Sequence, residues 1–220
     1  MELAEARDMV FQAIERPADG SGTHISEPYL NSLINQAQKI ICARTLCLRT
    51  RWTRNGTADT AKYALPVTCL GVSAAEYNDK ILGKKSWAEA RAYGWKSTTL
   101  KTGTPERLPK YWMIWSRSMF LLPAPSANLE NGLRIWGWKN ADDLSADDDV
   151  SEIPYEWHHL LWYYAAWHTF VALQKPQEAS YHRNNFLEGL SEMESYHVND
   201  PEVDHIVDDR TVLTDETTVT

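Results

Sequence analysis

Two helix-patterned blocks, one near each end, enclose a middle whose apolar residues alternate, and this change of period constrains the fold more than anything else in the chain. A period that switches from about 3.6 to 2 and back suits neither a simple bundle nor a simple sheet. It calls for an α+β fold with a β-rich region inserted between helices. In the first block, Leu3, Ala6, Val10, Ala13 and Ile14 share one face of a helix predicted over 3–15. Pro17 and Asp19-Gly20-Ser21-Gly22 end it. A second helix opens at Ser26, a favourable N-cap, with Pro28 in its first turn. Its stripe is Leu30, Leu33, Ile34, Ala37, Ile40 and Ile41.

From Leu46 the β-formers take over. Strands are predicted over 47–53, 62–66, 70–77, 80–82, 111–115, 118–122 and 133–138. Asn55-Gly56 reads as a hairpin turn, and Asn78-Asp79 as a turn leading to Lys80-Ile81-Leu82. Ser86 and Glu89 form a capping box at the start of a short helix. Thr102-Gly103-Thr104-Pro105 reads as a loop. Pro109, Pro123 and Pro125 confine their strands to edges or ends. Short strands at this spacing suggest a small antiparallel barrel or sandwich. Residues 141–152 read as an acidic linker. Pro154 then opens a third helix over 155–173, apolar nearly all round, and Pro176 opens a fourth over 177–196. The expected organisation is a body of about four helices from 1–45 and 153–198, an inserted β region from 46–152, and an extended acidic arm from 199–220.

Ten Trp and ten Tyr in 220 residues exceed what one modest core needs, and these side chains contribute most at interfaces. The net charge is -8, and residues 199–220 hold seven acids against Arg210 alone, so the arm supplies -6 of it. The near-neutral remainder disfavours wholesale nucleic-acid binding. Lys39, Arg44, Arg49, Arg51 and Arg54 form one basic stretch, read as a solvated or inter-subunit ion-pair face. Cys42, Cys47 and Cys69 are an odd set without metal-site spacing and read as reduced thiols. The N-terminus reads as a helix and not as a signal peptide, and no apolar run reaches a membrane span.

Chemistry-bearing patterns are sparse. Glu156–His159 and Glu194–His197 have the Glu-x-x-His spacing of di-iron four-helix bundles, which makes a di-metal carboxylate enzyme the alternative reading. Both pairs fall in terminal turns, and the first two helices offer no inward glutamate, so no metal or cofactor is expected. His158, His159, His168 and His182 read as neutral residues among aromatics. No nucleophile elbow, phosphate loop or paired-carboxylate motif is present. No catalytic residue is assigned.

The aromatic run Tyr111-Trp112-Met113-Ile114-Trp115, with Trp136 and Trp138, fits either a core sheet face or a ring of subunit contacts, because alternation puts half of it outside. Stacking of single-stranded nucleic acid is a third option, weakened by few neighbouring cations. Trp112, Trp115, Trp136, Trp138, Trp162 and Tyr163 are therefore the candidate inter-subunit or tail-facing residues. In the arm, Val203, Ile206, Val207, Val212 and Leu213 make a β-branched, apolar series suited to docking along a partner.

The order of these pieces resembles the head-to-tail adaptor (connector) proteins of tailed bacteriophages. The likeness runs from His24-Ile25-Ser26 through Leu30, Leu33-Ile34-Asn35, Ala37-Gln38 and Ile40. It continues in Tyr63-Ala64-Leu65-Pro66, Thr102-Gly103-Thr104-Pro105, Tyr111-Trp112, Leu122-Pro123-Ala124-Pro125 and Ile153-Pro154 to His158 and Leu161. It covers about 3–196. The resemblance implies a non-enzymatic virion protein of the head–tail neck, assembled in the host cytoplasm. It implies a twelve-fold ring of copies between the portal protein and the tail or nozzle protein, extending the channel for double-stranded DNA without binding it specifically. The arm, through Val203, Ile206, Val207, Val212 and Leu213, is then expected to bind the portal. Another neck or tail-completion component is the related alternative.

Overall fold

The structure is a computed structural model that describes residues 1–14, 25–92 and 108–198. The chain is α+β and divides into two compact units: Met1–Leu48 with Lys139–Thr220, and Arg49–Trp138.

The first unit is helical. Helix α1 (Leu3–Ala13) buries Leu3, Ala6 and Val10 as the pattern predicts, and Arg7 among them. A capping box between Glu2 and Glu5 starts it. Helix α2 (Glu27–Thr45) buries Leu30, Leu33, Ile34, Ala37 and Ile41. Ser26 precedes it in extended backbone but makes no capping bond. Pro28 in the first turn removes one of the donors a cap would have served. Leu46, with a φ of 52°, ends α2 in the left-handed region.

The helix predicted over 155–173 is divided. Tyr155–Trp157 form a 3-10 turn and α4 runs from His159 to Ala172. The His159 ring nitrogen Nδ1 lies 2.9 Å from the Glu156 carbonyl, which holds the tighter turn in place. Helix α5 (Pro176–Val198) packs antiparallel against α4 after a three-residue link. At that link Gln174 has a φ of 58°, and the Lys175 N–H donates to the Phe170 carbonyl at 2.9 Å, closing α4 as a Schellman motif.

Residues 141–152, expected as an acidic linker at the end of the β-rich region, fold onto the helices. The reason is backbone satisfaction. The first-turn N–H groups of Leu3 and Ala4 donate to the carbonyls of Asp149 (3.0 Å) and Asp147 (3.1 Å). Asn35 donates to the Leu144 carbonyl at 2.9 Å and accepts from the Leu144 N–H at 2.8 Å. Gln38 accepts from the buried Ser151 hydroxyl at 2.8 Å. These segments cannot be removed from one another without orphaning buried polar groups.

The second unit holds β1 (Arg49–Gly56), β2 (Lys62–Ala64), β3 (Cys69–Tyr77), β4 (Lys80–Ile81), β5 (Gly83–Lys84), α3 (Trp87–Ala92), β6 (Tyr111–Trp115), β7 (Ser118–Leu122) and β8 (Leu129–Lys139). They form two four-stranded sheets, β1-β8-β3-β4 and β2-β7-β6-β5. Among the described residues neither sheet closes into a barrel, and β5 runs parallel to β6, so the arrangement is not wholly antiparallel. One core draws on both sheets, with Tyr63, Val72, Ala75, Tyr77, Trp112, Met119, Leu121, Leu133 and Ile135.

Asn55-Gly56 is not a hairpin turn. Both residues lie inside β1, whose partner is the distant β8, from Arg49 opposite Trp138 to Gly56 opposite Leu129. Gly56 is required by packing: a Cβ there would lie 2.2 Å from the Tyr77 hydroxyl oxygen. Two-residue hairpins occur instead at Asn78-Asp79 (φ 52° and 59°) and Ser116-Arg117 (φ 46° and 56°). The first falls at the predicted turn. The Thr102–Pro105 and Gly20–Gly22 loops and the acidic arm lie outside the described residues.

Candidate interaction surfaces

In the strand unit, register decides which aromatics can meet a partner. On β8, Leu133, Ile135 and Gly137 are buried, so Arg134, Trp136 and Trp138 stand on the opposite face, half-buried. Directly opposed residues of an antiparallel pair share a face, so Arg51 stands beside Trp136 and Arg49 beside Trp138. Gly71 lets the Trp138 ring lie against β3, since a Cβ there would sit 3.3 Å from that ring. Arg134 pairs with Asp79 at 2.5 Å and Glu76 at 3.4 Å. These carboxylates, Asp79 foremost, hold its guanidinium above its ordinary pKa. The face is a ladder in which two rungs each set a guanidinium of β1 beside an indole of β8.

On the second sheet, alternation separates the aromatic run. Trp112 is only 1% exposed and donates its indole N–H to the Leu82 carbonyl at 3.1 Å. It is a core residue, so its expected place among the interface aromatics is corrected. Trp115, 51% exposed, stacks on Trp87 of α3 with centroids 4.7 Å apart. Trp87 carried no pattern in the sequence that marked it for this role. The capping box that starts α3 is present, with Ser86 N–H donating to Glu89 at 2.7 Å and Glu89 N–H to the Ser86 hydroxyl at 3.3 Å.

In the helical unit, Trp162 and Tyr163 are half-buried neighbours on α4, with ring centroids 4.1 Å apart. Both edge the His182 imidazole, which stacks on Phe170 at 5.1 Å. Burial pushes the His182 pKa below its ordinary value. A second cluster joins Tyr164, Trp167, His168 and Phe186, with the Arg183 guanidinium over Trp167. Burial depresses His168 as well. A helix bearing aromatic groups on several faces leaves apolar rings at the unit's surface after its own helices have packed.

His158 and Glu194, two titratable groups that could suggest chemistry, are engaged structurally. His158 is buried, and burial lowers its pKa. Its Nε2 lies 2.6 Å from the Ile153 carbonyl and its Nδ1 2.6 Å from the Met1 amino group. A neutral ring donating from Nε2 and accepting at Nδ1 satisfies both. Glu194 accepts from Arg44 at 2.7 Å. Among the described residues no group of three or more His, Cys, Asp or Glu could hold a metal ion, and no helix is long and apolar enough to cross a membrane. The buried Cys42 thiol is pushed up chiefly by its hydrogen bond with Cys47, whose own pKa is lowered to about 7. All three cysteines are free.

Half-buried aromatic and guanidinium side chains of this kind are the groups enriched where proteins contact one another. The sequence profile of the SU10 adaptor protein family matches residues 3–206, through both units, and the chain belongs to that family. It is a phage head–tail adaptor family, so the protein is a structural phage adaptor, a virion component that interacts with other head or tail proteins. No curated protein matches the chain.

Proposed function

We propose that the chain is one protomer of a ring that joins the portal vertex of a phage head to its tail or nozzle and extends the DNA channel. The observation that carries this reading is the family match over 3–206, which spans both units. The protomer acts without catalysis. The α4–α5 aromatic face, with Trp162 and Tyr163, and the β faces, with Trp115, Trp136 and Trp138, supply contacts between copies and with the next tail component. Heterologous contacts of this kind close into a ring when the rotation permits, and a dodecamer is the expected closure. Double-stranded DNA passes without specific binding, since a body of near-neutral net charge gives the duplex little to adhere to. The arm carries the portal contact, beginning at Val203, Ile206 and Val207.

The test is the mass of the purified chain with and without portal protein. A closed ring on the portal is the expected result. A chain that neither binds portal nor forms a closed oligomer in its presence rejects the reading. Ending the chain at Asn199 is expected to weaken portal binding, and unimpaired binding would remove the arm from that role.

A further inference from the structure

Strand β1 is eight residues long and lies at the edge of its sheet, with β8 on one side and, among the described residues, no strand on the other. Every second residue of such a strand turns its N–H and C=O away from the sheet. A long bare edge is an invitation to pairing, and proteins ordinarily blunt or cover it. This one is basic: Arg49, Arg51 and Arg54 are exposed and no acid occurs between 49 and 56. Arg51 and Arg54 have no acidic partner among the described residues.

The complementary sequence is in the chain itself. Thr211-Val-Leu-Thr-Asp-Glu-Thr-Thr-Val-Thr220 holds five Thr, two Val, two acids and no base. β-Branched residues favour a strand, and Asp215 and Glu216 match the charge of the edge. We propose that residues 211–220 of one copy add as a strand to the free edge of β1 in a second copy. The proposal rests on the ring reading above. It takes the end of the arm and leaves Val203, Ile206 and Val207 to the portal.

Reach permits a neighbour. The twelve residues 199–210 span about 40 Å when extended. A compact unit of about 100 residues, with a radius of gyration of about 13 Å, is about 30–35 Å across. The terminal strand can therefore clear the unit that carries it. Passing one strand from copy to copy is a heterologous contact, the kind that closes a ring.

Amide hydrogen exchange tests this on the full chain and on a chain ended after Arg210. The outward-facing amides of 49–56 are expected to exchange about tenfold more slowly in the full chain, with protection rising with protein concentration. A synthetic 211–220 peptide is expected to restore protection to the shortened chain. Arg51→Glu with Arg54→Glu is expected to abolish protection, and adding Asp215→Lys with Glu216→Lys to restore it. Unchanged protection at Leu133 and Ile135 of β8 reports that the unit stays folded in each variant. Exchange unaffected by truncation or by the peptide overturns the proposal. So does concentration-independent protection, which puts the strand on its own chain, and so does protection that appears only when portal protein is added. Portal binding is read separately by mass, so the strand exchange and the adaptor reading fail independently.

Discussion

Replacing Trp112 and Trp115 one at a time distinguishes a core tryptophan from the exposed tryptophan, three residues away on the same strand, that the proposed function gives to assembly. Trp112 is 1% exposed inside the core shared by the two sheets. A buried aromatic of this size removes about 150–250 Å² from water, which at about 25 cal/mol per Å² sets an upper value near 4–6 kcal/mol. Trp112→Ala is therefore expected to cost about 4 kcal/mol, within the usual range for deleting a buried indole. Trp112→Phe keeps most of the ring but leaves the Leu82 carbonyl without its donor, and is expected to cost about 1–2 kcal/mol. Trp115→Ala loses a half-exposed stack on Trp87, worth about 0.5–1.5 kcal/mol, and is expected to weaken assembly more than folding. Urea unfolding followed by circular dichroism gives the stabilities, and the mass of the portal-bound assembly gives the second readout. Trp112→Ala costing under about 1 kcal/mol while blocking assembly would refute the division of roles.

Gly56→Ala is expected to destabilise the strand unit by about 1–3 kcal/mol, because the new Cβ meets the Tyr77 ring; urea titration checks it. Gln174→Gly is expected to stabilise the helical unit by up to about 1 kcal/mol, read as a rise in its unfolding midpoint, since glycine carries no left-handed penalty at the α4 terminus. His158, His168 and His182 all have pKa values below the ordinary 6.5 through burial, so the native state favours their neutral forms. Their contribution is complete above the unfolded pKa and is lost as pH falls below it. For the well-buried His158 and His182 the loss is expected at up to about 1.4 kcal/mol per pH unit each, and His182→Phe is expected to flatten the profile.

Where the sequence carried enough local information, its boundaries survived. Tyr111–Trp115 and Ser118–Leu122 are strands at those limits, and the α1 and α2 stripes are the buried faces, because each period is set by the element's own geometry. Asn55-Gly56 failed because the glycine answers a tertiary demand, the Tyr77 ring, that imitates a turn signal. Trp112 failed for a related reason: alternation divides a strand into two faces but does not say which face a sandwich encloses. The docking of 139–153 was illegible because its bonds join residues about a hundred positions apart, as between Asn35 and Leu144. The indole–guanidinium ladder was half legible, since Arg49 and Arg51 already fell two apart in a basic stretch. Only the pairing of β1 with β8 sets them beside Trp138 and Trp136.

The two acidic segments look alike in sequence but differ in what answers their charge. In 139–153 most of the carboxylates are matched within the helical unit. Asp143 pairs with Lys39 at 2.6 Å, Asp147 with Arg7 at 2.5 Å, and Glu152 with Lys139 at 2.6 Å. Asp149 accepts from the N–H groups of Ala146 and Ser145, which hold its carboxyl below the usual range. Arg7 shows how completely this is done: a guanidinium 8% exposed on the apolar stripe of α1 is tolerable only because Asp147 and Glu27 meet it. The arm has no such arithmetic available, with seven acids and Arg210 as its one base. Its excess must be answered by groups beyond itself or by solvent. The basic edge of β1 has the converse excess, and Arg51 and Arg54 find no acid among the described residues. In the ring proposed above, opposite surpluses at separate places in the sequence give one copy a charge complement on the next. Complementary charge across a contact selects partner and register more than it adds raw affinity.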